Sequence, residues 1–181
     1  MHIQELDILF RLALATILSS IIGLERQVRG KPAGLRTHAL AGLGAAIMTL
    51  SGIMVAEQTI GIAGLTVDPT RMASIVIQGI GFLGAGVMIQ SRGFVKGITT
   101  ATTLWFVASI GIATGFGLWL IAAFSTMLAL ILLILFRQFE VEAEKVELLH
   151  SLNEENILSS AHDKNCKTGR KGKKVQKSKI W

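Results

Sequence analysis

Residues 25–38 read ERQVRGKPAGLRTH and crowd Glu25, Arg26, Arg29, Lys31 and Arg36 between two long apolar runs. Charges this dense, flanked on both sides by stretches of about 20 apolar residues, mark a polar connection between membrane-spanning helices. The same alternation continues along the chain. Apolar runs cover about 6–24, 38–56, 72–91, 98–115 and 118–136. Each is close to the length that crosses a bilayer core, and backbone groups in lipid are satisfied only within helices or closed barrels. The expected fold is therefore an all-α membrane bundle of about five transmembrane helices.

Composition agrees with lipid as the solvent. Of the 181 residues 51% are hydrophobic and 17% charged, against about 25% charged in an ordinary soluble domain. The net charge of +6 belongs to the tail: eight Lys/Arg and no acid lie between Lys164 and Lys179. Setting those eight of the 18 cations aside leaves 10 against 12 acids, so the body is not basic and nucleic acid is not an expected partner. Cys166 is the single cysteine, which excludes an intrachain disulfide. Glu5 and Asp7 stand where a signal peptide carries its basic region, so the first run is expected to stay as an anchor.

Short loops predict orientation. Arg26, Arg29, Lys31 and Arg36 fall in one connection and Arg92 and Lys96 in another, whereas 57–71 holds Arg71 with Glu57 and Asp68. The positive-inside rule places the first two in the cytoplasm, with the N-terminus outside and the C-terminus cytoplasmic. Asp68-Pro69-Thr70-Arg71 has the form of a helix start, an N-cap Asp before Pro at the first helical position, giving Asp68 and Arg71 as an outer-face cap. Asp7 and Arg11, four apart, are expected to pair. Trp119 falls where an aromatic belt meets the outer interface.

Small residues recur within the runs. Gly79, Gly81, Gly84 and Gly86 in the third, and Gly111 and Gly115 in the fourth, are expected at helix-packing contacts, because small residues let backbones approach closely in lipid. Gly79–Gly84 also fits GxGxxG, but it lies inside an apolar run rather than at a strand-to-helix turn, so a dinucleotide site is rejected. Beyond Phe136 the character changes: 137–163 is a short acidic segment with a short surface helix expected, and 164–181 a basic, disordered tail.

No catalytic constellation, metal-ligand cluster or cofactor motif can be assembled, so the chain is not expected to be an enzyme. From residue 12 onward no run carries a carboxylate in its middle, although such groups ordinarily mark an ion path and Mg²⁺ is usually held through carboxylates. Thr99 and Thr100 remain as candidate ligands. The candidate inner-face site comprises Glu25, Arg26, Arg29, Lys31, Arg36, His38, Arg92, Lys96, Thr99 and Thr100. Within it Glu25 is the one acid near six cations and is expected to pair with one of them, while Gly30, Pro32 and Gly34 shape the turn that aims the side chains.

Three blocks carry a resemblance. GLERQ at 23–27 with GKPAGLRTHAL at 30–40, DPTR at 68–71 with GIGFLGAG at 79–86, and GITTA at 97–101 with Leu104-Trp105 are similar to the signature of the MgtC/SapB family. The resemblance covers roughly 5–136. It implies a bacterial inner-membrane protein with about five helices and a cytoplasmic C-terminus, associated with growth at low magnesium, virulence and, in some relatives, acid stress. It further implies regulation of a membrane ATPase or transporter as partner, with a homo-oligomer as an additional expectation. A Mg²⁺ or small-solute transporter or channel subunit is the alternative, and a lipid-binding scaffold using the basic loop and tail a third. Two features depart from the family pattern: Thr102 stands where Ala is common, and 137–181 is too short for the ACT-like domain of many members.

Overall fold

The computed structural model describes residues 4–60, 62, 67–91 and 94–136. The elements run α1 (Glu5–Val28), α2 (Leu35–Gln58), α3 (Thr70–Val87), β1 (Ile89–Ser91), β2 (Phe94–Lys96), α4 (Ile98–Gly115) and α5 (Trp119–Leu135). Helices α1 to α4 are long and apolar enough to cross a membrane, and α5, at 17 residues, is a shorter apolar helix. The described helices fall in a compact unit, Met1–Leu132, up to the last turn of α5. The expected segments 137–163 and 164–181, with Cys166, lie outside the described residues.

Helices α1, α2 and α4 form the centre, and α3 packs on α2 and α4. The apolar core gathers Ala33, Ala45, Ile80, Leu104 and Ala108. Glycine lets backbones meet here. At Gly42 of α2 a Cβ would strike Ser19 Oγ of α1, and at Gly111 of α4 it would strike the Gly42 carbonyl oxygen. Gly115 is equally tight, with Thr49 Cβ 2.7 Å from where its own Cβ would stand. Two buried hydroxyls bond within their own helices: Thr49 donates to Ala45 O at 2.8 Å and Thr126 to Ala122 O at 2.7 Å. Such back-bonding satisfies these two donors without a partner from another helix.

Three expectations are corrected. Among the described residues nothing lies within 4 Å of a Cβ placed on Gly79, Gly81 or Gly86, because α3 turns Ile80 and Gly84 inward. The third run does not continue as helix to 91. Met88 turns extended, and Ile89 to Ser91 pair antiparallel with Phe94 to Lys96, Ile89 opposite Lys96. Hydropathy alone cannot separate a short apolar strand from the last turn of a helix. Finally, the polar connection is shorter than its charge implies: α1 runs on to Val28 and α2 begins at Leu35, so Glu25, Arg26 and Arg36 are helical.

Both sharp turns close by the same device. After α1, Gly30 adopts φ +63°, with Gly30 N–H donating to Gln27 O and Lys31 N–H to Arg26 O. After α4, Gly117 adopts φ +79°, with Gly117 N–H donating to Thr114 O and Leu118 N–H to Ala113 O. This is the Schellman pattern, in which a left-handed glycine satisfies the last helical carbonyls. At the start of α3, Asp68 Oδ1 accepts from Thr70 N–H at 2.8 Å and from Thr70 Oγ1 at 2.7 Å, while Pro69 already has helical angles.

Candidate functional site

The buried face of α1 follows a helical repeat: Ala15, Leu18, Ser19, Ile22, Gly23, Arg26. Apolar and small residues occupy it until its last position, where a guanidinium takes their place. Arg26 has no exposed surface and is the largest fully buried side chain among the described residues. Its Nε meets Glu25 Oε2 at 2.5 Å. Arg29, one turn on, forms an ion pair with the other carboxylate oxygen, Oε1, without the alignment of a hydrogen bond. Glu25 thus pairs with two of the six cations rather than one. Arg26 Nη1 has no hydrogen-bond partner among the described residues.

The start of α2 closes against this face. Gly23 has no side chain because His38 Cβ would lie 2.8 Å from one, and the Leu35 backbone 2.9 Å. Gln27 Oε1 accepts from Leu35 N–H at 3.1 Å, so a side chain of α1 caps the first turn of α2. That supplies an acceptor which Gly34, the residue at the cap, cannot.

His38 joins α2 to α4. It is fully buried, its Nδ1 lies 2.9 Å from Gly34 O and its Nε2 3.0 Å from Thr103 Oγ1. Thr103 Oγ1 in turn lies 2.8 Å from Thr100 O. A carbonyl only accepts, so Nδ1 carries a proton. Two proton arrangements complete the chain: a neutral ring accepting from the Thr103 hydroxyl, or a charged ring donating to it while that hydroxyl donates to Thr100 O.

Among the candidate site residues, Glu25, Arg26, Arg29 and His38 share one end of the bundle, with Thr100 buried beside the His38–Thr103 pair. Lys31 is half-buried in the turn, Arg36 is exposed on the first turn of α2, and Thr99 is exposed at the start of α4. Lys96 lies on β2, and Arg92 falls outside the described residues. Asp68 and Arg71 are exposed at the start of α3. The two hydrogen bonds from Thr70, hydroxyl first and backbone second, hold the Asp68 carboxyl below its usual range.

Sequence reasoning missed Thr103, Gln27 and the far-end role of Arg11. Thr103 was detectable as the threonine one turn beyond Thr100 on the same face. At the far end, Arg11 pairs with Asp7 at 2.7 Å as expected, and it also donates to Gly115 O at 2.8 Å. A guanidinium there complements the partial negative charge at the C-terminus of α4.

This geometry places residues 23–40 against 97–105. A family model described as the MgtC family matches residues 12–141. The chain belongs to the MgtC family. Its blocks at 23–40 and 97–105, far apart in sequence, therefore meet through the bond from His38 to Thr103. Among curated relatives, the Escherichia coli (strain K12) protein named "Putative magnesium transporter YhiD" is 36% identical over 132 residues, covering 73% of this chain and 61% of that protein. "Protein MgtC" of Salmonella typhimurium (strain 14028s) is 39% identical over 130 residues, covering 72% and 52%. "Protein SapB" of Bacillus subtilis (strain 168) is 35% identical over 127 residues, covering 70% and 54%. The MgtC-family chain thus spans between half and two thirds of these relatives' lengths. No solved structure matches it. With its apolar helices, it is a multi-pass membrane protein of a bacterial family.

Proposed function

We propose that this MgtC-family chain is a non-enzymatic regulator in the bacterial inner membrane, supporting adaptation to low magnesium by acting on a membrane ATPase or transporter. The observation that carries this reading is the state of Glu25. Its carboxylate is held between Arg26 and Arg29, so the charged end of the bundle presents excess positive charge rather than an open ligand for a dication. A hydrated Mg²⁺ approaching that end meets repulsion, and Mg²⁺ sheds water reluctantly even where carboxylates are free. The basic residues at this end favour a cytoplasmic placement by the positive-inside rule, with the N-terminus outside.

The family supports a link to magnesium, since one relative is named a magnesium transporter with the qualifier quoted above. That name also favours a second reading, in which the chain itself carries Mg²⁺ or a small solute along α3 and Thr99/Thr100. Purified protein in liposomes loaded with a Mg²⁺-sensitive dye separates the two. Regulation expects no flux above empty liposomes, and saturable flux by the protein alone would overturn it.

A further inference from the structure

Charge at the basic end is incomplete. Two guanidinium groups, Arg26 and Arg29, share the single carboxylate of Glu25. Arg26 is fully buried, yet its Nη1 amino group has no acceptor among the described residues. Leaving a buried charged donor unpaired is costly, which makes Nη1 a place where an added acceptor stabilises the fold.

Three further features give that acceptor a sign, a chemistry and a depth. The N-termini of α2 and α4 are brought to this end by the His38–Thr103 bond; that of α2 is capped in part by Gln27, while Gly97 at the cap of α4 offers no side-chain acceptor. Helix N-termini carry partial positive charge and favour anions. Arg26 stands two residues before the end of a 24-residue helix. Such a helix is about 36 Å long, against about 30 Å for the hydrocarbon core, so its final turn lies at headgroup level.

We propose that Arg26 is the seat of an oxyanion: a phosphate group, carried by an anionic lipid or free in solution, whose oxygen accepts from Nη1. Phosphate suits a guanidinium through paired, charge-assisted hydrogen bonds, and headgroup level is where phosphate is concentrated. The turn at 29–34 is tied to the backbone of the residue that carries the seat, since Lys31 N–H donates to Arg26 O at 3.1 Å. Binding at Nη1 is therefore expected to change the protection of the Lys31 amide. The seat stands whether the chain regulates or transports.

The test uses the full chain in nanodiscs of phosphatidylcholine, of phosphatidylcholine with phosphatidylglycerol, and of phosphatidylcholine with inorganic phosphate in solution, against chloride at equal ionic strength. Thermal unfolding and native mass spectrometry of retained lipid are read. A rise in unfolding temperature with phosphatidylglycerol alone assigns a lipid headgroup, and one with inorganic phosphate alone assigns a soluble anion. Either supports the seat. Arg26→Gln and Arg26→Lys should each weaken the effective probe roughly tenfold, while Gln58→Ala, exposed at the opposite end of α2, retains it. No effect of either probe beyond chloride would overturn the assignment, as would full retention in Arg26→Gln. Should the Arg26 variants fail to fold, hydrogen exchange of the Lys31 amide in the unaltered chain decides: a probe-dependent change supports the seat and none refutes it.

Discussion

His38 Nε2 lies 3.0 Å from Thr103 Oγ1, so one imidazole fixes the start of α2 to the first turns of α4, 65 residues away. Replacing Thr103 by Val keeps the shape and removes the partner of a buried ring nitrogen. Thr103→Val should destabilise the bundle by about 1–3 kcal/mol, and Thr103→Ser should restore most of it. Thermal unfolding in detergent checks the pair, and equal stability of Thr103→Val and the unaltered chain would remove this bond from the account.

Glycine substitutions should divide by helix. Gly111→Ala drives a methyl into the Gly42 carbonyl oxygen, a backbone atom with no room to yield, and should cost about 1–3 kcal/mol or prevent folding. Gly79→Ala meets open space and should leave folding of the isolated chain unchanged. If Gly79→Ala nevertheless abolishes low-Mg²⁺ growth support in cells, the open face of α3 receives a partner helix.

Arg11 makes two connections at the far end, to Asp7 and to Gly115 O. Arg11→Gln should therefore cost more than Asp7→Asn, by about 1–2 kcal/mol, since it removes a charge-assisted bond to a helix terminus as well as a half-buried ion pair. A double-mutant cycle measured by unfolding gives the coupling. Equal costs for the two single variants would show that Gly115 O finds water instead.

Asp68 gives a pH dependence of known sign. Its carboxyl is held below its usual range by Thr70, so its contribution is present above the unfolded-state value and is lost as pH falls through the depressed one. Hydrogen exchange at the Thr70 amide should accelerate in acid beyond its intrinsic trend. Asp68→Asn, still a good cap, should remove that extra dependence.

Glu25→Gln leaves Arg26 buried with a neutral neighbour and should be the most damaging single change at the basic end, costing about 3–5 kcal/mol. Expression and unfolding temperature read it. A paired Glu25→Gln, Arg26→Met variant should recover stability, because the buried charge leaves with its partner.

Much of the helix order was legible in hydropathy alone, because lipid demands long apolar helices and punishes charge within them. The same signal misplaced the ends. Charges at Glu25 and Arg26 read as a connection, yet charged residues do not stop a helix; Gly30, with its positive φ, does. The hairpin at Ile89–Lys96 was hidden because three residues carry too little periodicity to distinguish strand from helix. Grouping Glu25, Arg26, His38 and Thr100 was legible as a cluster of unusual residues between apolar runs. The burial of Arg26 was not, since it depends on which face of α1 meets α2. Nor were the outward-facing glycines of α3, because a small residue reads alike whether a neighbour fills the space or not.

Gly42 touches Ser19 of α1 on one side and Gly111 of α4 on the other. A bare backbone wedged between two helices allows neither to slide past it without collision, so α1, α2 and α4 move as one block. Any displacement of the charged end must then be carried by the 29–34 turn, the hairpin or α3, which is the least buried of the four long helices. Locking α3 to α4 with an engineered crosslink would stall such a displacement, whereas locking α1 to α2 would change nothing.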